Sequence, residues 1–243
     1  MTVKELRQRL ELLKGKYPSK MVEIPEFVDG PGFFPGCSGT SDMETDISQK
    51  DFIILGQDQD KKEGFEETIN KGSEEYTPTW REINKLFGRV KTDEDDKLKL
   101  DECFFTNALM GVRNTTKSTG KSPGFSSPNF VAVCRKIFEE TIDVIRPKGI
   151  ICLGIWPAKF VGMASGQVAS KLICFEKYSE IDQAGFAVMK GIRFDAINSF
   201  QTTVVILSHP CLRHLYAGDR SYKSIKNNEA AEVEMLTELL YSQ

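Results

Sequence analysis

The stretch "DFIILGQDQDKK", residues 51–62, changes character at its centre. Residues 52–55 are apolar without interruption, as a strand covered on both faces tends to be. They run into Gly56, and then Gln57, Asp58, Gln59 and Asp60 follow one after another. A turn back to the surface is the plain reading of such a break. The other is a glycine that lets the chain turn closely at a ligand, with a carboxylate presented at the strand end.

Three more apolar runs have the same look: "CFFTNAL" (103–109), "GIICLG" (149–154) and "TVVIL" (203–207). Helical stretches separate them. In "TPTWREINKLFG", Thr79 and Glu82 have the spacing of a capping box and Gly88 is a stop. "SPNFVAVCRKIFEETIDVIRP" opens on Ser127-Pro128, stops before Pro147, and carries Phe130, Val133, Cys134, Ile137, Phe138, Ile142 and Ile145 along one face. A short helix is expected over 157–163, and "SIKNNEAAEVEMLTELLYS" closes the chain. At the start, Leu6, Leu10 and Leu13 predict an amphipathic helix within residues 1–16. Strands alternating with helices imply an α/β fold, a parallel sheet of four strands between helical layers. Residues 168–200 break the alternation; "SKLICFEKY" and "GFAVMKGIRFDAI" read as extended pieces or an insertion within one domain spanning 1–243.

With 243 residues, 40% of them hydrophobic and 28% charged, the chain can build one sizeable core. It has no apolar run of membrane-spanning length, and its N-terminus is too charged for a signal peptide. Six scattered cysteines without a C-x-x-C pair predict a reduced, cytoplasmic protein with no metal site and no other cofactor. The net charge of −3 argues against a nonspecific polyanion binder. Charge is nevertheless segregated. Residues 91–102 carry six acids against three lysines, whereas 111–124 carry Arg113, Lys117 and Lys121 with no acid, and 213–226 carry Arg213, Arg220, Lys223 and Lys226 against Asp219.

Ligands of open parallel sheets bind beyond the carboxyl ends of the strands. Those ends are Gly56-Gln57-Asp58, Thr106-Asn107 and Ser208-His209-Pro210, so a carboxylate, a carboxamide and an imidazole are expected on one rim. Each has a plainer reading: a capping carboxylate, a backbone-bonding asparagine, a satisfied strand-end histidine. No G-x-x-x-x-G-K-[ST] occurs and no G-x-G-x-x-G follows a strand, which disfavours nucleotide triphosphate and dinucleotide sites. The Gly-rich "PGCSGTSD" (35–42) reads as a loop, or as a small anion nest.

These same residues resemble the uracil-DNA glycosylase superfamily. Gly56-Gln57-Asp58-Gln59-Asp60 is similar to its G-Q-D-P-Y motif, "CFFTNALMGVRN" to its strand ending in T-N, "IRPKGIICLGIWPAKFVG" to its L-R-P-K-x-I-x-x-L-G segment, and "VVILSHPCLRH" to its H-P-S motif. The four blocks stand in family order between residues 51 and 214. The resemblance implies hydrolysis of the N-glycosidic bond of uracil, or a related deaminated base, flipped out of DNA by a monomeric repair enzyme. It implies Asp58 as the group that orients water and stabilises the sugar cation, and His209 as a neutral donor to the base oxygen. Asn107 would read the base edge and the Gln57 N–H would help hold the oxygen. Tyr76, or else Phe65, would stack on the base. Leu212 or Arg213 would fill the gap in the duplex, and Lys117, Lys121, Arg213, Arg220 and Lys223 would meet phosphates.

Departures from the pattern are specific. Gln59 and Asp60 stand where the family has proline and tyrosine, so Asp60 becomes the expected wall at C5 of the base, and thymine exclusion lacks its usual residue. Cys211 replaces the serine of H-P-S. Residues 57–75 hold seven acids against three lysines, an awkward wall for DNA. Two other functions fit the same residues: a non-catalytic protein binding nucleic acid or another protein, and a hydrolase of free nucleosides or nucleotides.

Overall fold

The computed structural model describes residues 1–39, 42–90 and 98–241. Most of the acidic run 91–102 therefore lies outside the described residues, as do two positions of the 35–42 loop. In chain order the elements are α1 (Val3–Gln8), β1 (Met21–Val22), β2 (Phe52–Gly56), β3 (Gln59–Lys61), α2 (Lys62–Lys71), α3 (Pro78–Phe87), β4 (Cys103–Asn107), β5 (Val112–Arg113), α4 (Pro128–Ile145), β6 (Gly149–Leu153), α5 (Ile155–Ala164), α6 (Tyr178–Gln183), β7 (Val188–Ile192), β8 (Thr202–Leu207), α7 (Arg213–Tyr216) and α8 (Ala230–Tyr241).

The main sheet has the order β4-β2-β6-β8-β7. Its first four strands are parallel, with Phe52 level with both Cys103 and Gly149, and Gly149 level with Thr203. They are the four apolar runs of the sequence, and every residue in them is buried. Alternate residues serve opposite faces. Ile53, Leu55, Phe104, Ile150 and Val204 share a core with Leu6, Phe130, Ile137, Phe138 and Phe160. Ile54, Phe105, Ile151 and Val205 pack with Trp80, Ile83, Met235 and Leu239. Helices α1, α4 and α5 thus cover one face, and α3 and α8 the other, which is what a parallel sheet requires.

A fifth strand corrects the expected four. β7 comes from the 168–200 segment and runs antiparallel to β8, with a register shift between Met189 and Ile192. "SKLICFEKY" is not extended: 3₁₀ turns span Gln167–Cys174 and α6 begins at Tyr178. The N-terminal helix is shorter than expected, giving way to a 3₁₀ turn at Arg9–Leu13, with Leu6 and Leu13 buried. The cap of α3 is Thr77 rather than Thr79: its side chain accepts from the Trp80 N–H, and Pro78 takes the first helical position, where no N–H is missed.

A second, mixed sheet of order β1-β5-β3 stands beside the first. It resolves the break in the opening stretch. Only Gln57 and Asp58 separate β2 from β3, and Gln59 is buried: its N–H donates to the Gly111 carbonyl and its Nε2 to the Phe33 carbonyl at 2.6 Å. The polar run first crosses between the two sheets, with Asp58 and Gln59 directed inward, and reaches solvent only at Asp60.

Among the described residues no helix is long and apolar enough to cross a membrane. Because Thr77 supplies the cap, Thr77→Ala should lower the unfolding free energy by about 1 kcal/mol in urea titrations. Thr79→Ala, which removes no cap, should cost less.

Candidate functional site

The carboxyl ends of β4, β2, β6 and β8 form one rim. Neighbouring strands are spaced by about 4.8 Å, so the ends of β2 and β8 are on the order of 10 Å apart. Gly56 closes β2 at a point with no room for a side chain: a Cβ there would come within 2.3 Å of Asn107 Oδ1 and 3.2 Å of the Phe33 ring. At the end of β6, Gly154 has φ of 117°, a conformation that favours glycine, and starts α5. The His209 Cβ and the Tyr178 hydroxyl both pack near it.

Asp58 and Arg113 form a two-pronged ion pair. Nε of Arg113 donates to Oδ2 of Asp58 at 2.7 Å and Nη2 donates to Oδ1 at 2.8 Å. Both side chains are only 4% exposed. Burial pushes the Asp58 carboxyl up, and Arg113, Ser122 and Gln57 oppose it by hydrogen bonding to the charged form. Arg113 also donates to the carbonyls of Thr119 and Gly120, and Gln57 Nε2 donates to Gly120 as well. The pair therefore pins the loop after β5 to the end of β2. The carboxylate expected to face a water molecule faces a guanidinium.

Asn107 is buried at the end of β4, and its Nδ2 has no hydrogen-bond partner. His209 is partly exposed, but its Nδ1 is buried and also unpartnered. Burial, and secondarily the Arg113 charge, lower the His209 imidazole to about 4, so it is neutral near pH 7. Buried polar groups without partners are uncommon in folded proteins and ask for an explanation.

The expected stacking residues are placed elsewhere. The Tyr76 hydroxyl is 3.3 Å from that of Thr68 on α2. Phe65 is buried inside α2, behind Gly36, because its helix needs an apolar face to pack. Phe33 is the aromatic brought to Gly56 and Asn107, and it meets Phe105 and Trp80 edge-on. Glu74 holds it there by accepting its backbone N–H at 3.0 Å; burial pushes that carboxyl up to about 7. Asp60 is exposed, accepts the Lys61 N–H and lies against Gly64 in the first turn of α2.

The phosphate-binding set also needs correction. Arg220 is fully buried and paired with Asp182 and Glu232, so it cannot reach a phosphate. Arg213 is buried against Glu232, and the exposed Lys223 is shared by Glu234 and Glu238. Leu212 is half-buried in the turn after His209. Lys117 and Lys121 remain exposed, and Lys121 Nζ sits 5.0 Å from the Trp156 ring centre.

Sequence reading missed Phe33, Arg113 and Ser122. Phe33 is carried in a Gly/Pro-rich loop, "GPGFFPG", where a pair of aromatics was a usable signal. Arg113 follows the apolar "ALMGV" and could have been read as strand rather than as exposed loop. Among the described residues no cluster of three or more His, Cys, Asp or Glu is arranged to hold a metal. A depression of about 280 Å3 runs along β7 between Gly166, Phe186 and Ile192; none of Asp58, Asn107 and His209 lines it. The strand ends are the better candidate, because Asn107 Nδ2, Ser208 Oγ and His209 Nδ1, three of the five buried side-chain atoms without a hydrogen bond among the described residues, are there; Glu140 Oε2 and Arg213 Nη2 are on helices. No protein-family profile and no curated protein sequence matches this chain.

Removing one member of a buried ion pair strands the other charge. Arg113→Met should therefore destabilise the protein by about 3–5 kcal/mol, and adding Asp58→Leu should restore most of it, both read from denaturant unfolding. The lowered His209 pKa has a signed consequence. Between about pH 4 and 6.5 the unfolded chain binds the imidazole proton and the folded chain does not, so this group's contribution is present above 6.5 and lost as pH falls to 4. Relative to His209→Gln, wild type should lose about 3 kcal/mol across that window. Glu74 works in the opposite direction, its contribution being lost as pH rises from 4.5 to 7, so only the difference between the two proteins isolates His209.

Proposed function

We propose that the rim formed by Asn107, His209 and Phe33 binds a base flipped out of DNA, uracil or a related deaminated base, and that the chain hydrolyses its N-glycosidic bond. One observation carries this reading: Nδ2 of Asn107 and Nδ1 of His209 are both buried without partners at the ends of parallel strands. The parallel order β4-β2-β6-β8 brings the two T-N and H-P segments to the same rim. A base edge offers the acceptors and donors that these groups lack. A neutral His209 carries one N–H that can donate to a developing base oxyanion, and Phe33 supplies an aromatic face. In this reading one Asp58 oxygen must leave Arg113 to hold the attacking water. Exposed Lys117 and Lys121 are the phosphate contacts that remain.

A second reading has its own observation. Both Asp58 oxygens are occupied by Arg113, a neutral pair that offers little negative charge to a sugar cation. A protein of this fold that binds a base without cleaving it accounts for that lock.

Single-turnover incubation with labelled oligonucleotides carrying uracil, hypoxanthine or a thymine mismatch separates the two. Excision by wild type, reduced on the order of 10²-fold or more in Asn107→Ala and His209→Ala, is the expected result. Base-selective binding by wild type with no cleavage of any substrate assigns the second reading. Neither selective binding nor cleavage removes both.

A further inference from the structure

We infer that Glu232 is a positioning residue for His209: from inside α8 its carboxylate fixes the backbone that carries the imidazole. Glu232 is fully buried and makes three contacts. Oε1 accepts the Ser208 N–H at 2.5 Å and Arg220 Nη1 at 3.1 Å, and Oε2 accepts Arg213 Nε at 2.9 Å. Arg220 extends the network by donating to both oxygens of Asp182 on α6 and to the Ile206 carbonyl within β8. Its guanidinium lies 5.0 Å from the centre of the Tyr178 ring, whose hydroxyl sits beside Gly154 and the His209 backbone. The turn is closed from the other side by the Leu212 N–H, which donates to the His209 carbonyl at 2.8 Å.

The Ser208 N–H is therefore held by a side chain and the His209 carbonyl by a turn, whereas Nδ1 of the ring itself has no protein partner. Histidines at working sites are commonly oriented through their second ring nitrogen. This one is aimed through residues 206–209 instead. The two carboxylates and two guanidiniums balance in charge, which lets the cluster be buried, and a buried pair can specify one geometry where it adds little stability. Supporting groups of this kind hold a site to the tolerance that chemistry needs. The functional weight of the placement rests on the base-binding reading above, but the placement can be tested without it.

The chain has only two histidines, and exposed His214 is an internal reference for His209 in a proton NMR titration. Tyr178→Phe keeps the ring beneath Arg220 and removes only the hydroxyl at the His209 backbone. Glu232→Gln keeps an acceptor for Ser208 but leaves two guanidiniums with one carboxylate. In folded Tyr178→Phe the His209 titration midpoint should rise by roughly half a unit or more as the ring gains water, whereas Glu232→Gln, which also removes a negative charge, is read by amide exchange. Exchange of the Ser208 and His209 amides should quicken about tenfold, with β2 and β4 amides and His214 unchanged. Wild-type exchange of the Ser208 and His209 amides in folded Glu232→Gln overturns the inference. So does equal loosening across the whole sheet, which marks a merely structural network. If Glu232→Gln does not fold, the double variant Glu232→Met/Arg213→Met, which removes the acceptor and keeps the buried charges balanced, decides on the same readout. None of these readouts needs cleavage, so a wild type inert toward every damaged base would remove the proposed function and leave this result standing. If excision does occur, Tyr178→Phe should slow the single-turnover rate about tenfold at unchanged DNA affinity.

Discussion

A carboxylate taken out of water must be given its hydrogen bonds back, and at the end of β2 the Arg113 guanidinium does this for Asp58. Much of the rim depends on that exchange. Arg113 sits in the small sheet, Asp58 directly follows the large one, and the pair is the polar tie between them. Through Thr119 and Gly120 the same guanidinium draws in the basic loop that carries Lys117 and Lys121. Without the pair, Asp58 would be an unpaired carboxylate buried between the two sheets. With it Gln57, Asp58 and Gln59 become a joint.

The joint also explains how the aromatic wall is built. Gln59 reaches back to the Phe33 carbonyl while Glu74 takes the Phe33 N–H, so both backbone polar groups of one residue are held by buried side chains. Its ring then has few ways to move from Gly56. Across the rim the histidine is held through its backbone in the same manner. Two opposite walls of the candidate site thus use one device, a buried polar side chain acting on main chain, while Asn107 and His209 keep hydrogen-bonding capacity in reserve.

How much of this was legible in the sequence depended on whether the deciding contact was local. The parallel strands were readable because burial on both faces leaves apolar runs that polar residues would interrupt. Helix α4 was readable from Ser127-Pro128 and its apolar stripe. β7 was legible only as an extended piece of "GFAVMKGIRFDAI": Lys190 and Gly191 interrupt Val188–Ile192, which is covered less completely than the central strands, so its membership of the main sheet was hidden. Asp58, Asn107 and His209 were found at strand ends because topology places them there. Their partners were hidden, since Arg113 is 55 residues from Asp58 and Glu232 is 24 from Ser208. Basic residues misled for a physical reason. Arg220 and Arg213 look like surface charge in a list of residues, but a fully buried carboxylate on an amphipathic helix needs cations brought to it.

The two margins of the main sheet are finished differently, and this bears on how the protein behaves in a crowded solution. Beside β4, residues 34–39 run along the strand, and Phe34 and Gly39 satisfy backbone groups of Phe105 and Asn107. Beside β7 no further strand is paired among the described residues. A flat, apolar margin there would template the addition of another chain. Instead the strand is broken by its register shift, Gly191 takes a φ of 68°, and exposed Lys190 and Arg193 flank the irregularity. A kinked, charged border, with Lys190 paired to Glu238, pairs poorly with an incoming strand. The segment that interrupts the alternation of strand and helix thereby keeps the sheet from growing past its own chain.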